Sequence, residues 1–373
     1  MRAIAVSGSL SQMGQQHGEA AADLVSELFA TRFELLARQL SAALPEKPAS
    51  ELARLIESWT TVLFSEMAAH LPDVAAEVTG VARGSGLEPW QLIVAGGYTD
   101  VVGGLVSPRR QQVASECTVV AMSGVRGGGS VIAGTWDSHA SASPALVLLR
   151  RQPASGPSSL ALTTAGWPAQ QGVTSAGLAF ATTNLRPRRG GRGIAYIGAL
   201  AQLLSMPSIA EARTLLLRLG YCSGHYYPVG DEHGRLLLLE TSNDDRAELA
   251  SGNGLVPHTN HYLAPALESE NPHDEQTANS VERLRRVRAL TAGSSAEAVR
   301  QRLWTILSDH GTTGAGICRH GQGDETRSCA AFVIDARRRS IEFTDGPACG
   351  GARRTALLEP ACSERQSSTT PVT

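Results

Sequence analysis

Ser115-Glu116-Cys117-Thr118-Val119-Val120 is the stretch at which the chain changes texture. Before it the sequence reads as helix. Residues 19–40 and 51–71 carry apolar side chains at helical spacing with acidic and arginine residues between them. Pro45 and Pro48 separate the two, and Pro72-Asp73 and Glu88-Pro89 mark further helix starts. After it come short β-rich runs at 118–122, 130–136, 146–150, 160–164 and 177–183, divided by turns such as the glycine-rich 126–129. A central helix pair (194–204 and 208–219), strands at 235–240 and 254–258, a second helix pair (277–291 and 295–307) and strands at 330–335 and 340–344 follow. Strands in blocks with helices grouped between them predict an α+β fold, two sheets sandwiched by helical layers in the order αββα. The chain divides into a helical N-terminal segment, 1–116, a catalytic domain, 117–359, and a polar Ser/Thr-rich tail, 360–373, expected to be disordered.

Composition narrows the function classes. The 373 residues carry a formal net charge of −2, and 18% are charged. With no basic stripe, nucleic acid is not an expected partner. The longest apolar runs, 145–149 and 236–239, fall far short of a bilayer span. Six cysteines lack any CxxC spacing, and the start lacks a secretory h-region, so a reduced, cytoplasmic protein is expected. Lys47 is the single lysine, leaving arginine to carry nearly all the positive charge.

Four stretches hold residues suited to chemistry. Cys117 alone would read as a small buried residue at a strand start. Gly134-Thr135-Trp136-Asp137-Ser138-His139 ends a strand with a tryptophan and a carboxylate, and a hairpin would return Asp137 to the side of Cys117. Gly177-Leu178-Ala179-Phe180-Ala181-Thr182-Thr183-Asn184 is a short apolar strand ending in an amide. Pro257-His258-Thr259-Asn260-His261-Tyr262-Leu263 places two histidines around an asparagine. Each, taken singly, is an ordinary turn or polar loop.

In this order and spacing the four resemble peptidase family C45, that of acyl-CoA:6-aminopenicillanate acyltransferase. The opening Gly8-Ser9-Leu10-Ser11-Gln12-Met13-Gly14-Gln15-Gln16-His17-Gly18 and the late Ile317-Cys318-Arg319 are similar to segments of the same family. The resemblance implies a four-layer N-terminal-nucleophile (Ntn) hydrolase fold and self-cleavage between Glu116 and Cys117, with Thr118 following. It implies Cys117 as nucleophile, Asp137 near the new amine, Asn260 as an oxyanion or positioning amide, and Arg319 as a charge partner by the thiol. Asn184 as a second oxyanion donor rests on a Gly-Leu-x5-Asn spacing shared with choloylglycine hydrolases. One departure stands out: the penicillin enzyme has glycine where this chain has Glu116. Glycine tolerates a strained scissile peptide more readily, whereas a carboxylate here is placed to assist cleavage.

The residue types suit the task. A free thiol titrates near ~8.5 and an α-amino group near ~7.7–8.0, so an N-terminal cysteine carries its own base. The expected activity is cleavage or transfer of an acyl group on a small-molecule amide or thioester through a Cys117 thioester, in secondary metabolism. The alternatives are an N-acyltransferase drawing on acyl-CoA and a non-catalytic small-molecule binder on the same fold. No cofactor is expected beyond acyl-CoA as a donor. Trp136, His139, Phe180, His258, His261 and Tyr262 are candidates for the pocket wall. His258 and His261 at a strand end do not share a face as in HExxH, so no metal is expected in the chain. Residues 1–116 are expected to stay bound as a small subunit.

Overall fold

The computed structural model describes residues 1–106, 116–124, 127–311, 315–321 and 326–358; the tail from 360 and Arg126 lie outside the described residues. The N-terminal part holds β1 (Arg2–Gly8), α1 (Leu10–Ala20), α2 (Ala22–Ala43), α3 (Ala49–His70), α4 (Pro72–Ser85), α5 (Pro89–Gly96) and α6 (Tyr98–Leu105). Next come β2 (Thr118–Met122), β3 (Val131–His139), β4 (Leu146–Pro153), β5 (Ser159–Thr164), β6 (Gln171–Thr174), β7 (Leu178–Phe180) and β8 (Thr183–Leu185). Helices α7 (Tyr196–Leu203) and α8 (Ile209–Arg218) precede β9 (Gly224–Asp231), β10 (Leu236–Thr241), β11 (Arg246–Glu248) and β12 (Leu255–His258). The chain continues through α9 (Glu275–Thr291), α10 (Ala296–Leu307), β13 (Thr326–Asp335), β14 (Ser340–Asp345) and β15 (Arg354–Leu357).

Among the described residues, nine strands form one sheet in the order β1-β4-β5-β6-β7-β9-β10-β11, with β8 also on β9; six form the other, β12-β2-β3-β13-β14-β15. Alternation along each strand builds the layers. In β4, Val147 and Leu149 join the core under the helices, while Leu146 and Leu148 join Ile132, Trp136 and Phe332 between the sheets. On the second sheet Val120, Met122 and Val333 pack against Val287 of α9 and Leu303 of α10. The expected αββα sandwich is the observed one.

The sequence reading had no strand at β6, β9, β11 or β15, and two further details differ from it. The start of the chain is a strand, not helix: β1 runs parallel to β4 with Arg2 opposite Val147 and Gly8 opposite Pro153. Among the described residues, the segment before Cys117 thus supplies an edge strand as well as six helices. The other difference is the run 177–183, which divides into β7 and β8. Both pair with β9, and Pro228 of β9, which has no N–H to donate, sits at the break, its carbonyl accepting from Ala181 at 3.2 Å.

The opening motif proves to be a packing device. Helices α1 and α4 touch backbone to backbone: a Cβ on Gly14 would lie 2.0 Å from the Glu77 carbonyl oxygen, and one on Gly80 would lie 2.3 Å from that of Ser11. His17 on the same helix is fully buried, and its Nε2 accepts from the Gly166 N–H at 3.2 Å. Burial, and to a lesser degree the Arg151 cation, lower its pKa from 6.5 to about 4. The folded value lies below the unfolded one, so neutral His17 contributes in full above pH 6.5, and that contribution is lost as pH falls toward 4. In His17→Gln the stability difference between pH 7 and pH 4 should shrink by roughly 3 kcal/mol, read from urea midpoints at the two pH values. An unchanged difference would remove His17 as the source. Among the described residues, no helix is long and apolar enough to cross a membrane.

Candidate active site

Strands β2 and β3 pair antiparallel with Thr118 opposite Thr135. That register brings Asp137 back beside the start of β2, as a hairpin requires. The Glu116 N–H donates to the Asp137 carbonyl at 3.3 Å, and the Cys117 thiol donates to the same oxygen at 3.6 Å. The Asp137 carboxyl is fully buried, accepting from Ser328 Oγ at 2.6 Å and Thr135 Oγ1 at 2.9 Å. Burial raises its pKa to about 7, against the pull of the Ser328 hydroxyl, the Arg283 cation, Thr135 and Arg319. A carboxyl poised there changes charge within the working pH range.

Arg283 was not singled out by sequence reasoning, yet it ties the site together. It lies on α9, fully buried, with all three guanidinium nitrogens engaged. Nη1 donates to the Cys117 carbonyl at 2.8 Å and to Thr118 Oγ1 at 3.1 Å. Nη2 donates to Asn260 Oδ1 at 2.9 Å, and Nε to Asn279 Oδ1 at 2.8 Å. Burial lowers its pKa to about 10, which leaves it charged at neutral pH. The available signal was its place on the stripe Ser280, Arg283, Leu284, Val287 and Thr291, the buried face of the helix.

Asn260 is held from both ends. Its backbone N–H donates to Ser280 Oγ at 2.7 Å, and its Nδ2 donates to the Asn184 carbonyl at 2.9 Å. It therefore orients the backbone of Asn184 instead of lining the cavity. Arg319 Nη2 donates to Asn279 Oδ1 at 2.9 Å and forms an ion pair with the Glu116 carboxylate. The residue before Cys117 is thus anchored by the charge partner expected for the thiol.

A cavity opens on the other face of β2. Cys117, Trp136, Thr182 and Asn184 line it together with Arg32, Tyr98, Tyr196 and His225. Arg32 and Tyr98 come from the segment before Glu116, so the cavity is built from both sides of the Glu116–Cys117 bond. The Tyr196 ring stacks on His225 at 4.2 Å between centroids. Asp100 behind them accepts from the Tyr196 N–H at 2.7 Å, with its Oδ1 3.5 Å from His225 Nδ1. Burial raises Asp100 to about 7 and lowers His225 to about 3, so His225 is uncharged at neutral pH beside a carboxyl that titrates there.

Of the pocket-wall candidates, Trp136 lines this cavity and the other five do not. His139 Nδ1 accepts from the Ser141 N–H at 3.1 Å and caps a short turn. Phe180 belongs to the core under the helices. His258 is buried with Nε2 2.7 Å from Glu240 Oε1, its ring stacked on Tyr226 at 3.8 Å. His261 Nδ1 lies 2.8 Å from Ser280 Oγ, and Tyr262 donates to the Thr241 carbonyl at 2.9 Å. These side chains fix the strand end that carries Asn260, and the two histidines turn to different partners.

The family model for acyl-coenzyme A:6-aminopenicillanic acid acyl-transferase matches residues 125–346, a span that holds Asp137, Asn184, Asn260, Arg283 and Arg319 and begins just after Cys117. Among solved structures the chain is similar to a mutant of conjugated bile acid hydrolase from Clostridium perfringens, at 9% identity and a TM-score of 0.44, over 65% of this chain and 97% of that one. It is also similar to penicillin V acylase from Agrobacterium tumefaciens, at 14% identity and a TM-score of 0.32, over 66% of this chain and 79% of that one.

Proposed function

The chain belongs to the acyl-coenzyme A:6-aminopenicillanic acid acyl-transferase family, and on that footing we propose that it is a self-processing cysteine enzyme that cleaves or transfers the acyl group of a small-molecule amide or thioester. The observation that carries this reading is the position of Cys117. Its thiol lines a cavity beside Asn184, while its own carbonyl is held by a buried arginine.

Maturation begins with the Cys117 thiolate attacking the Glu116 carbonyl carbon. The C–N bond breaks, the departing nitrogen takes a proton, and Glu116 is left as a thioester on sulfur. Water then releases the Glu116 carboxylate and returns the thiol. The new α-amine stands next to Asp137, whose buried carboxyl gains a cation to pair with and ionises more readily. Arg319, holding Glu116 before the cut, loses a covalently tethered partner after it. Residues 1–116 stay in place, because β1 is paired in the larger sheet and Arg32 and Tyr98 are part of the cavity wall.

In turnover the same thiol attacks an acyl carbonyl, the α-amine serves as base, and Asn184 is the candidate donor to the oxyanion. One such donor typically contributes roughly 3–4 kcal/mol. Water on the resulting thioester gives hydrolysis, and an amine gives transfer. Arg32 puts a buried cation in the wall, which favours substrates with an anionic group. The test is mass spectrometry of the large chain after brief exposure to matched acyl-amides and acyl-CoAs, with and without a carboxylate. One acyl adduct on the peptide that starts at Cys117, removable by hydroxylamine, is expected. An adduct on any other residue, with turnover intact, would overturn the assignment.

A further inference from the structure

Away from the cavity, four donor side chains from three segments converge. His310 follows α10, Cys318 and His320 lie on the segment entering β13, and Cys349 is in the turn after β14. Their ligand atoms all lie within 4.8 Å of one another. His320 Nε2 is 3.1 Å from His310 Nε2, 3.6 Å from Cys318 Sγ and 3.2 Å from Cys349 Sγ. Both cysteines are free thiols.

Hydrogen bonding does not account for this arrangement. A ring nitrogen has either one proton or one lone pair, and His320 Nε2 faces three partners at once. A cation at the centre satisfies all four atoms together. With zinc–nitrogen bonds of about 2.0–2.1 Å and zinc–sulfur bonds of about 2.3 Å, tetrahedral angles separate two nitrogens by about 3.3 Å and a nitrogen from a sulfur by about 3.6 Å. The three distances from His320 Nε2 fall close to those values, and every other pair lies within 4.8 Å. Two thiolates and two neutral imidazoles around a divalent ion leave no net charge, with Cys318 buried and the other three ligands exposed. The donor set holds soft sulfur and no carboxylate, which selects zinc over magnesium or calcium.

We propose that His310, Cys318, His320 and Cys349 form a tetrahedral structural zinc site that clips the end of α10 and the turn after β14 to the segment carrying Arg319. Four protein ligands leave no open position, so the ion does no chemistry itself. Its reach into the active site is short. Arg319 sits between two of the ligands, and its backbone N–H donates to Ser328 Oγ at 2.9 Å. The same Ser328 hydroxyl donates to Asp137 at 2.6 Å. Fixing Cys318 and His320 therefore fixes both the anchor of Glu116 and the partner of Asp137.

The site stands apart from the proposed acyl chemistry and is tested by metal content. The full chain, purified without a metal-affinity step, should hold about one zinc per chain by plasma mass spectrometry. Exchange with cobalt should give the visible bands of a tetrahedral ion and thiolate charge transfer. Cys349→Ser, at an exposed position, and Cys318→Ser with Cys349→Ser should both drop to near zero zinc and lose the cobalt bands. Circular dichroism of the single variant checks that it is folded, and Cys117→Ala should keep its zinc. Zinc well below one per chain after reconstitution, zinc undiminished in the folded Cys349 variant, or a Cys318–Cys349 disulfide in peptide mapping would each overturn the proposal.

Discussion

Cys117→Ala should migrate as one unbroken chain with turnover lost, where the unsubstituted protein should give two pieces, the larger beginning at Cys117. The expected loss of activity is on the order of 10⁴- to 10⁶-fold, the scale seen when a covalent nucleophile is removed. In the proposed mechanism one residue supplies both groups, so one substitution should stop both reactions. Without sulfur nothing attacks the Glu116 carbonyl, and without that attack the nitrogen of residue 117 remains an amide with no basic lone pair. Misfolding is a poor explanation for such a result. Cys117 is a small buried residue at the head of β2, and removing one sulfur atom leaves the β2–β3 pairing and the Arg283 contact to its carbonyl intact. Thermal unfolding of the variant should therefore stay close to that of the unprocessed chain. Intact mass and N-terminal sequencing read the outcome directly. The two wild-type pieces should co-elute on size exclusion, since separating them would strip β1 from β4 and expose the core under α1–α6. Full turnover by a single uncut chain would end the self-processing reading.

How much of this was legible depended on whether the signal was local. The Cys117–Asp137 pairing was legible because β2 and β3 are short, β-rich and joined by a glycine-rich turn. Cys117, Asp137, Asn184, Asn260 and Arg319 were named as one site from resemblance. Their separation along the chain gives no local pattern, and only the folded sheets show that Asn260 reaches the Asn184 backbone. Strand β1 was missed because its alternation rests on two buried apolar residues, Ile4 and Val6, next to a long helical stretch. His258, His261 and Tyr262 were taken for pocket wall because their chemistry suits one. Sequence gives the position of a side chain along the strand but not the Glu240, Ser280 and Thr241 partners that claim it. The four convergent donors near Arg319 are spaced 8, 2 and 29 residues apart, and no short motif carries that pattern.

Arg283→Met should block maturation and lower stability by roughly 3–5 kcal/mol, the range for removing one member of a buried charge network. The substitution fills similar space but strips donors from the buried Cys117 and Asn260 oxygens and from the half-buried Asn279. Each abandoned acceptor costs about 1–3 kcal/mol, and the costs overlap because the groups share one network. Lost stability alone could stop processing, so Arg283→Lys separates the roles. Lysine keeps the charge but presents a point donor where the site uses a fork, and it cannot hold the Cys117 carbonyl and Asn260 together. That variant should fold, yet process on the order of 10²-fold more slowly, the penalty expected when reacting groups move by about an ångström. A second readout is electrostatic. The Arg283 cation holds the Asp137 pKa down against burial. Its loss in the methionine variant moves that pKa up from about 7, so any residual maturation that needs ionised Asp137 should shift its midpoint to higher pH. A merely structural arginine would change the rate and leave the midpoint where it was. If Arg283→Lys matured at the full rate with an unmoved pH profile, the arginine would be a core prop, and alignment of the nucleophile would have to come from the β2–β3 pairing alone.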